Sequence, residues 1–80
     1  MQRLGPAQRR QHWATVLRIR RGERNWTFDE LAHRAGVAPG EVAALAEGRP
    51  NPGGRASRIK VAAAFDCEVE QVFPDVVDVP

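Results

Sequence analysis

The fold is decided by residues 26–48, WTFDELAHRAGVAPGEVAALAEG, which have the layout of a helix, a tight turn and a second helix. Thr27 is followed three residues later by Glu30, the spacing of a capping box, in which the hydroxyl accepts from the Glu30 amide and the carboxylate reaches back. Trp26 and Leu31 stand on either side of this cap at the spacing of a hydrophobic staple. The pattern predicts that a helix begins at Thr27 and that its entry angle is fixed.

The end of this helix and the start of the next are also marked in the sequence. Gly36 can adopt the left-handed conformation that ends a helix. Pro39 suits the first position of a helix, because the N–H that proline lacks would have no partner there. Val42 and Leu45 are then spaced to face a core, and Gly48 ends the second helix.

Three further helices are predicted around this pair, which gives an all-α, five-helix domain over residues 7–74. The first covers about 7–21, the fourth 55–65 and the fifth 68–73, and the loop 49–54 contains two prolines and two glycines. The residues expected to face the core from these helices are Trp13, Val16, Leu17, the stem of Arg20, Ile59, Ala62, Ala63, Phe65, Val69, Val72 and Phe73.

The two ends of the chain are predicted to lie outside the domain. Residues 1–6 are expected to be flexible, with Gly5-Pro6 separating them from the first helix. Residues 75–80 form a tail, DVVDVP, for which two alternatives stay open. The tail is either disordered or a short extended segment that pairs with a second copy of the chain.

Length and composition exclude several classes of protein. Eighty residues are enough for one modest core but too few for a cofactor domain beside a catalytic domain, so no cofactor is expected. The single cysteine, Cys67, excludes an intramolecular disulfide and a cysteine-based metal site, and it is interpreted as a core thiol. The chain contains no apolar run of membrane-spanning length and no apolar stretch behind its basic start, so we expect no membrane contact and a cytoplasmic protein.

Charge is distributed unevenly along the chain. Residues 1–24 have a net charge of +6 and residues 62–80 a net charge of −5. A polyanion would be attracted to the first segment and repelled by the second. The alternative is a solvated basic helix that only maintains solubility, and eleven arginines against one lysine can also reflect a GC-rich genome.

Residues 11–74 resemble the phage-repressor-type (Xre/Cro) helix-turn-helix DNA-binding domains. The motifs that carry the resemblance are LRIRRGERNWT, TFDELAHRAGV, VAALAEGRPNP and IKVAAAFDCEVEQVFP. The resemblance implies a five-helix, lambda-repressor-like domain with the helix-turn-helix at helices 2 and 3. It also implies a cytoplasmic transcription regulator, often a repressor, that binds double-stranded DNA as a homodimer with the third helix in the major groove.

The resemblance also implies which residues would contact DNA. Arg18 and Arg21 match first-helix cations that meet phosphate in such domains, and Arg49, Asn51 and Arg55 match the loop that flanks the same backbone. Where the family has a phosphate-gripping Gln after the helix-2 cap, this chain has Phe28. The remaining candidates belong to the start of helix 3, where the family shows Ser or Thr followed by polar residues, and here they are Pro39, Gly40, Glu41 and Ala44.

The chemistry of this third helix predicts weak base recognition. Direct readout needs donors or acceptors on base edges, and only Glu41 offers one, as an acceptor for a cytosine amino group. Ala43 or Ala44 can at most touch a thymine methyl group. We therefore expect DNA binding to depend mainly on arginine–phosphate contacts.

DNA binding has two alternatives. The first is a protein-interaction module that keeps the fold, antitoxin-like or docking on the transcription machinery, and whose partner is a toxin, a sigma factor or RNA polymerase. The second is an enzyme, which we do not expect because His12 and His33 lack a nucleophile or carboxylate constellation. Trp13 and Trp26 are interpreted as core residues, whereas the sequence leaves open whether Phe28 is exposed to a partner or buried.

Overall fold

The structure, a computed structural model, describes the backbone of residues 2–77 and the side chains of residues 4–75. Within these residues the domain is built from helices, as predicted, and a pair of two-residue strands joins the two ends of the chain. The five helices are α1 (Pro6–Arg24), α2 (Phe28–Ala35), α3 (Pro39–Ala46), α4 (Gly54–Ala64) and α5 (Val69–Val72). None of them is long and apolar enough to cross a membrane.

The local signals that begin and end α2 and α3 are confirmed. Thr27 and Glu30 form the predicted capping box: the Thr27 Oγ1 accepts from the Glu30 amide at 3.1 Å, and the Glu30 carboxylate accepts from the Thr27 amide at 3.3 Å. Gly36 has a φ of 72° and ends α2. Pro39 is the first residue of α3, so a turn of three residues joins the two helices.

Helix α1 is longer than predicted at its C-terminal end. Gly22 does not stop it, and the helix continues to Arg24, after which Asn25 adopts the left-handed conformation with φ 55°. Asparagine tolerates this conformation better than other residues with a side chain. The sequence-based boundary was therefore placed one turn too early.

The core lies between α1, the α2–α3 pair and the α4–α5 end of the chain. Trp13 meets the edge of Phe73 with ring centroids 5.8 Å apart, and Trp26 stacks on Phe65 at 5.6 Å. The two tryptophans therefore pack as predicted, Trp13 buried and Trp26 partly buried against the core. The largest fully buried side chains are Phe65, Phe73, Leu17, Leu31, Leu45, Val42, Val61 and Val72.

Two of the residues predicted for the core are on the surface. Ile59 is 47% exposed and Ala63 is also exposed, whereas Val61 and Ala62 are buried. Ala62 and Phe65 are buried as predicted, so the face that α4 turns to the core differs from the predicted one only in part, with Val61 and Ser57 buried instead of Ile59 and Ala63. Cys67 is partly buried and packs against the core.

The two ends of the chain pair with each other over two residues. Strand β1 (Gln2–Arg3) runs antiparallel to strand β2 (Val76–Val77), with Gln2 opposite Val77 and Arg3 opposite Val76. The start of the chain was expected to be flexible, and the tail was expected either to be disordered or to pair with a second copy. In the structure both segments are extended and pair within one chain. Adjacent valines favour such extended backbone. The expectations for Met1 and for residues 78–80 lie outside the described residues.

Candidate nucleic-acid interface

Two arginines of α1 are held against the C-terminal end of α3. The Arg18 Nε donates to the carbonyl of Ala46 at 2.9 Å, and the Arg10 Nε donates to the carbonyl of Gly48 at 3.2 Å. The last carbonyls of a helix lack intrahelical partners and carry partial negative charge, so they favour nearby cations. These bonds use Nε alone, and among the described residues no partner is found for the terminal nitrogens of either guanidinium.

Arg49 lies just beyond the same end of α3. Its Nε is 2.6 Å from the Glu47 carboxylate, and both side chains are 57% exposed. Exposed ion pairs of this kind contribute little to stability, so the partner of Arg49 can be exchanged at low cost. Arg10, Arg18 and Arg49 therefore form one basic group, which we call the α3-end cluster.

Arg21 and Phe28 are also brought together. The Arg21 guanidinium lies over the Phe28 ring at 4.9 Å and donates to the carbonyl of Trp26 at 2.8 Å. The sequence left open whether Phe28 is exposed or buried. Its side chain is 37% exposed, and the Arg21 guanidinium covers one face of the ring. Arg21 lies one helical turn after Arg18 on α1.

The first turn of α3 is exposed and offers no donor side chain. Pro39 and Gly40 are exposed and Ala43 is half-buried. Ala44, however, is only 1% exposed, so the prediction that it touches DNA is wrong. The error comes from the phase of the helix: the residues next to Ala44, Leu45 and Ala46, are buried as well, and α3 shows only a narrow strip to solvent.

Glu41 is used inside the protein and does not face a partner. Its carboxylate accepts from the Gly53 amide and lies 3.1 Å from the Ser57 hydroxyl, at the start of α4. A carboxylate at a helix N-terminus satisfies amides that would otherwise lack partners and interacts favourably with the helix dipole. The predicted role of Glu41 in base recognition is therefore not supported by its position.

Asn51 belongs to the same network. Its amide nitrogen donates to the Ser57 hydroxyl at 2.7 Å and to the carbonyl of Gly54 at 2.9 Å, and its amide oxygen accepts from Arg58 at 3.1 Å. Both ends of the amide are occupied. Asn51 therefore fixes the loop between α3 and α4 and is not free for the phosphate contact that the resemblance implied.

Arg55 is paired on another side of α4. Its guanidinium is 2.9 Å from the Glu70 carboxylate of α5. The pKa of Glu70 is lowered by a hydrogen bond from its own backbone amide and by the bond from Arg55. Arg55 is thus directed towards α5, and no contact joins it to the α3-end cluster in the described part of the chain.

The sequence-based candidates therefore divide into four groups. Arg18 and Arg49 lie at the end of α3, and Arg21 lies one turn further along α1, over the Phe28 ring. Arg55 is paired with Glu70 of α5. Contacts within the protein occupy Glu41 and Asn51, and Ala44 is buried. Pro39 and Gly40 are exposed, but they have no side chain that can form a hydrogen bond. Arg10 was missed, because a contact that joins residues 38 positions apart leaves no local signal in the sequence.

The described residues contain no group of three or more His, Cys, Asp or Glu side chains that could hold a metal ion. Comparison of the chain with models of known protein families, with curated proteins and with solved structures gives no match.

Proposed function

We propose that this chain is a helix-turn-helix DNA-binding regulator, with a lambda-repressor-like arrangement of its helices, that binds double-stranded DNA mainly through arginine–phosphate contacts. The observation that carries the proposal is the α3-end cluster. Two of its three guanidinium groups are fixed by backbone carbonyls of α3 and its following turn, so they are positioned before any ligand arrives.

Prepositioning matters because a flexible arginine loses side-chain entropy when it binds, about 0.5–1.5 kcal/mol for each immobilised side chain. Arg10 and Arg18 have already lost much of this freedom. Guanidinium–phosphate hydrogen bonds are charge-assisted, and the release of condensed counterions from DNA adds to affinity. A fixed basic group at the end of α3 would thus set how the duplex lies on this helix.

Sequence preference is expected to be weak. The exposed strip of α3 consists of Pro39, Gly40 and Ala43, and none of these side chains donates or accepts a hydrogen bond. Because Glu41 is held at the start of α4, no charged group of α3 is left to distinguish one base from another. Any preference would come from the shape and deformability of the duplex.

The test is a titration against random-sequence duplex DNA at several salt concentrations. Affinity should decrease steeply with salt, and Arg18→Ala should lower the slope of log affinity against log salt by about 0.9. Arg34→Ala is the matched control, because Arg34 stacks on Trp26 at 4.5 Å and belongs to no part of the α3-end cluster. Equal effects of the two substitutions would contradict the assignment of the cluster.

Absence of binding at low salt would contradict the proposal as a whole. The bare first turn of α3 would then favour the second candidate, a protein-interaction module in which Pro39, Gly40 and Ala43 allow close approach of a partner such as a toxin, a sigma factor or RNA polymerase. A homodimer remains a prediction from the resemblance, and sedimentation of the protein with and without DNA tests it. A cytoplasmic location remains a prediction from the composition.

A further inference from the structure

A basic cavity of about 220 Å³ lies between the start of α1, the loop after α3 and the middle of α4. Its lining contains three arginines and no carboxylate, and the lining residues are Pro6, Arg9, Arg10, Trp13, Pro50, Asn51 and Arg58. No local sequence pattern predicts this cavity, because its walls come from three separate segments. Of the three arginines in its lining, only Arg10 belongs to the α3-end cluster.

Each of the three guanidinium groups is fixed by contacts to the protein. Arg58 lies over the Trp13 ring at 4.6 Å and donates to the Asn51 amide oxygen at 3.1 Å. Arg9 lies over the same ring at 5.6 Å, and Arg10 donates to the Gly48 carbonyl. A guanidinium has five N–H donors in a rigid fork, so these contacts leave most of its hydrogen-bonding capacity unused.

The positive charges around the cavity are only partly balanced. The Asp75 carboxylate lies 3.7 Å from an Arg9 terminal nitrogen, and its side chain is 53% exposed. Burial lowers the pKa of Arg58; Asp75 and Glu41 act in the opposite direction, while the neighbouring cations Arg55 and Arg9 lower it further. Burial is the largest of these causes, and the cations Arg9 and Arg55 add to it, so an anion in the cavity would stabilise the charged form of Arg58.

We propose that this cavity is a binding site for a small ligand with a terminal phosphoryl dianion, held by Arg9, Arg10 and Arg58. The three guanidinium groups and the rim carboxylate of Asp75 give the site a net charge of about +2. This charge is opposite in sign and close in size to that of a phosphate monoester, about −1.5 to −2 at neutral pH. A phosphodiester carries a single charge and leaves the site unbalanced. The planar forks of arginine match the oxygens of a phosphoryl group in pairs, which favours phosphate over chloride.

Trp13 provides a signal that reports on the site. Its indole N–H donates to the Pro74 carbonyl at 2.7 Å, and its ring lies beneath two of the three cavity arginines. Inorganic phosphate is titrated at constant ionic strength, and the indole resonances are followed by ¹H–¹⁵N NMR. A Trp26→Phe variant assigns the two signals. We expect a saturable shift of the Trp13 signal, and a much smaller shift of the Trp26 signal.

Two variants connect the signal to the cavity. Arg58→Gln should weaken phosphate affinity about tenfold, because it removes a charge-assisted donor. Arg34→Gln is the matched control, since Arg34 covers Trp26 at 4.5 Å much as Arg58 covers Trp13 at 4.6 Å, and it should change phosphate affinity by less than about twofold. Arg10→Gln provides a second cavity variant in case Arg58→Gln fails to fold.

Dimethyl phosphate, a diester with one charge, tests the class of ligand. Weaker binding of the diester than of inorganic phosphate supports the proposal. Equal binding of both, or a linear shift without saturation, overturns it and indicates a surface that attracts any anion. The result does not depend on DNA: a saturable phosphate site without DNA binding would leave this proposal standing alone, and DNA binding without a phosphate site would leave the other.

Discussion

The two ends of α3 are chemically different surfaces of one eight-residue helix. Its first turn presents Pro39 and Gly40 to solvent, and the one charged side chain there, Glu41, is turned to the start of α4. Its last turn collects Arg18 from α1, and Arg10 lies at the following turn. The first turn of α3 therefore exposes no charged or hydrogen-bonding side chain, whereas the end of α3 lies beside guanidinium groups that belong to α1.

The proposed DNA binding has two requirements, affinity and sequence preference, and the two ends of α3 differ in which of them they could meet. Affinity depends on cations that meet phosphate, whereas sequence preference depends on donors and acceptors that meet base edges. In this chain the cations are anchored and the base-reading groups are missing. Under the proposed function, α3 would serve mainly as a support beside the duplex, and part of the positive charge at its end is supplied by α1.

The largest expected effect concerns the buried side of α3. Ala44→Gln should destabilise the protein by about 2–4 kcal/mol, because the site is 1% exposed and a larger polar group would have to be buried there. Ala43→Gln, one residue earlier and half-buried, should cost no more than about 0.5–1 kcal/mol. Urea unfolding of the two variants measures the difference. If they proved equally stable, the assignment of the exposed strip of α3 would be wrong.

An intermediate effect is expected at Glu41. Glu41→Ala should lower the free energy of unfolding by about 1–2 kcal/mol, because the Gly53 amide and the Ser57 hydroxyl lose their acceptor. Glu23→Ala, an exposed carboxylate of α1, serves as control and should stay within about 0.5 kcal/mol of the parent. A Glu41→Ala protein of unchanged stability but altered base preference would instead revive the role in base recognition that the sequence suggested.

The smallest effect is expected at Arg55, which is paired with Glu70 of α5. The pKa of Glu70 is lowered by its own amide and by Arg55, so Arg55→Gln should raise that pKa part of the way back to its ordinary value of 4.5. A carboxyl group whose pKa is lowered on folding stabilises the protein above its unfolded pKa, and this contribution is lost as the pH decreases through the lowered value. NMR titration of the Glu70 carboxyl carbon measures the shift. No change on substitution would mean that Arg55 is free to join another partner.

The local structure of the α2–α3 pair was predictable because its signals lie within a few residues of each other. The Thr27–Glu30 capping box, Gly36 at a positive φ and Pro39 at a first helical position each act through neighbouring backbone. The side of α4 that faces the core was less predictable. Val61 and Ile59 are equally apolar, and the choice between them depends on how α4 lies against α2 and α5.

By itself, then, the sequence determined the helices, most of their ends and the all-α class, since hydrophobic spacing and capping are short-range properties of the chain. Only the tertiary structure decided what each charged side chain does. Glu41 became a support for α4, Arg55 a partner of Glu70, and Arg58 a wall of a basic cavity. The physical reason is the reach of these contacts: they join residues 15 or more positions apart or segments that meet only after packing, and no spacing along the chain encodes them.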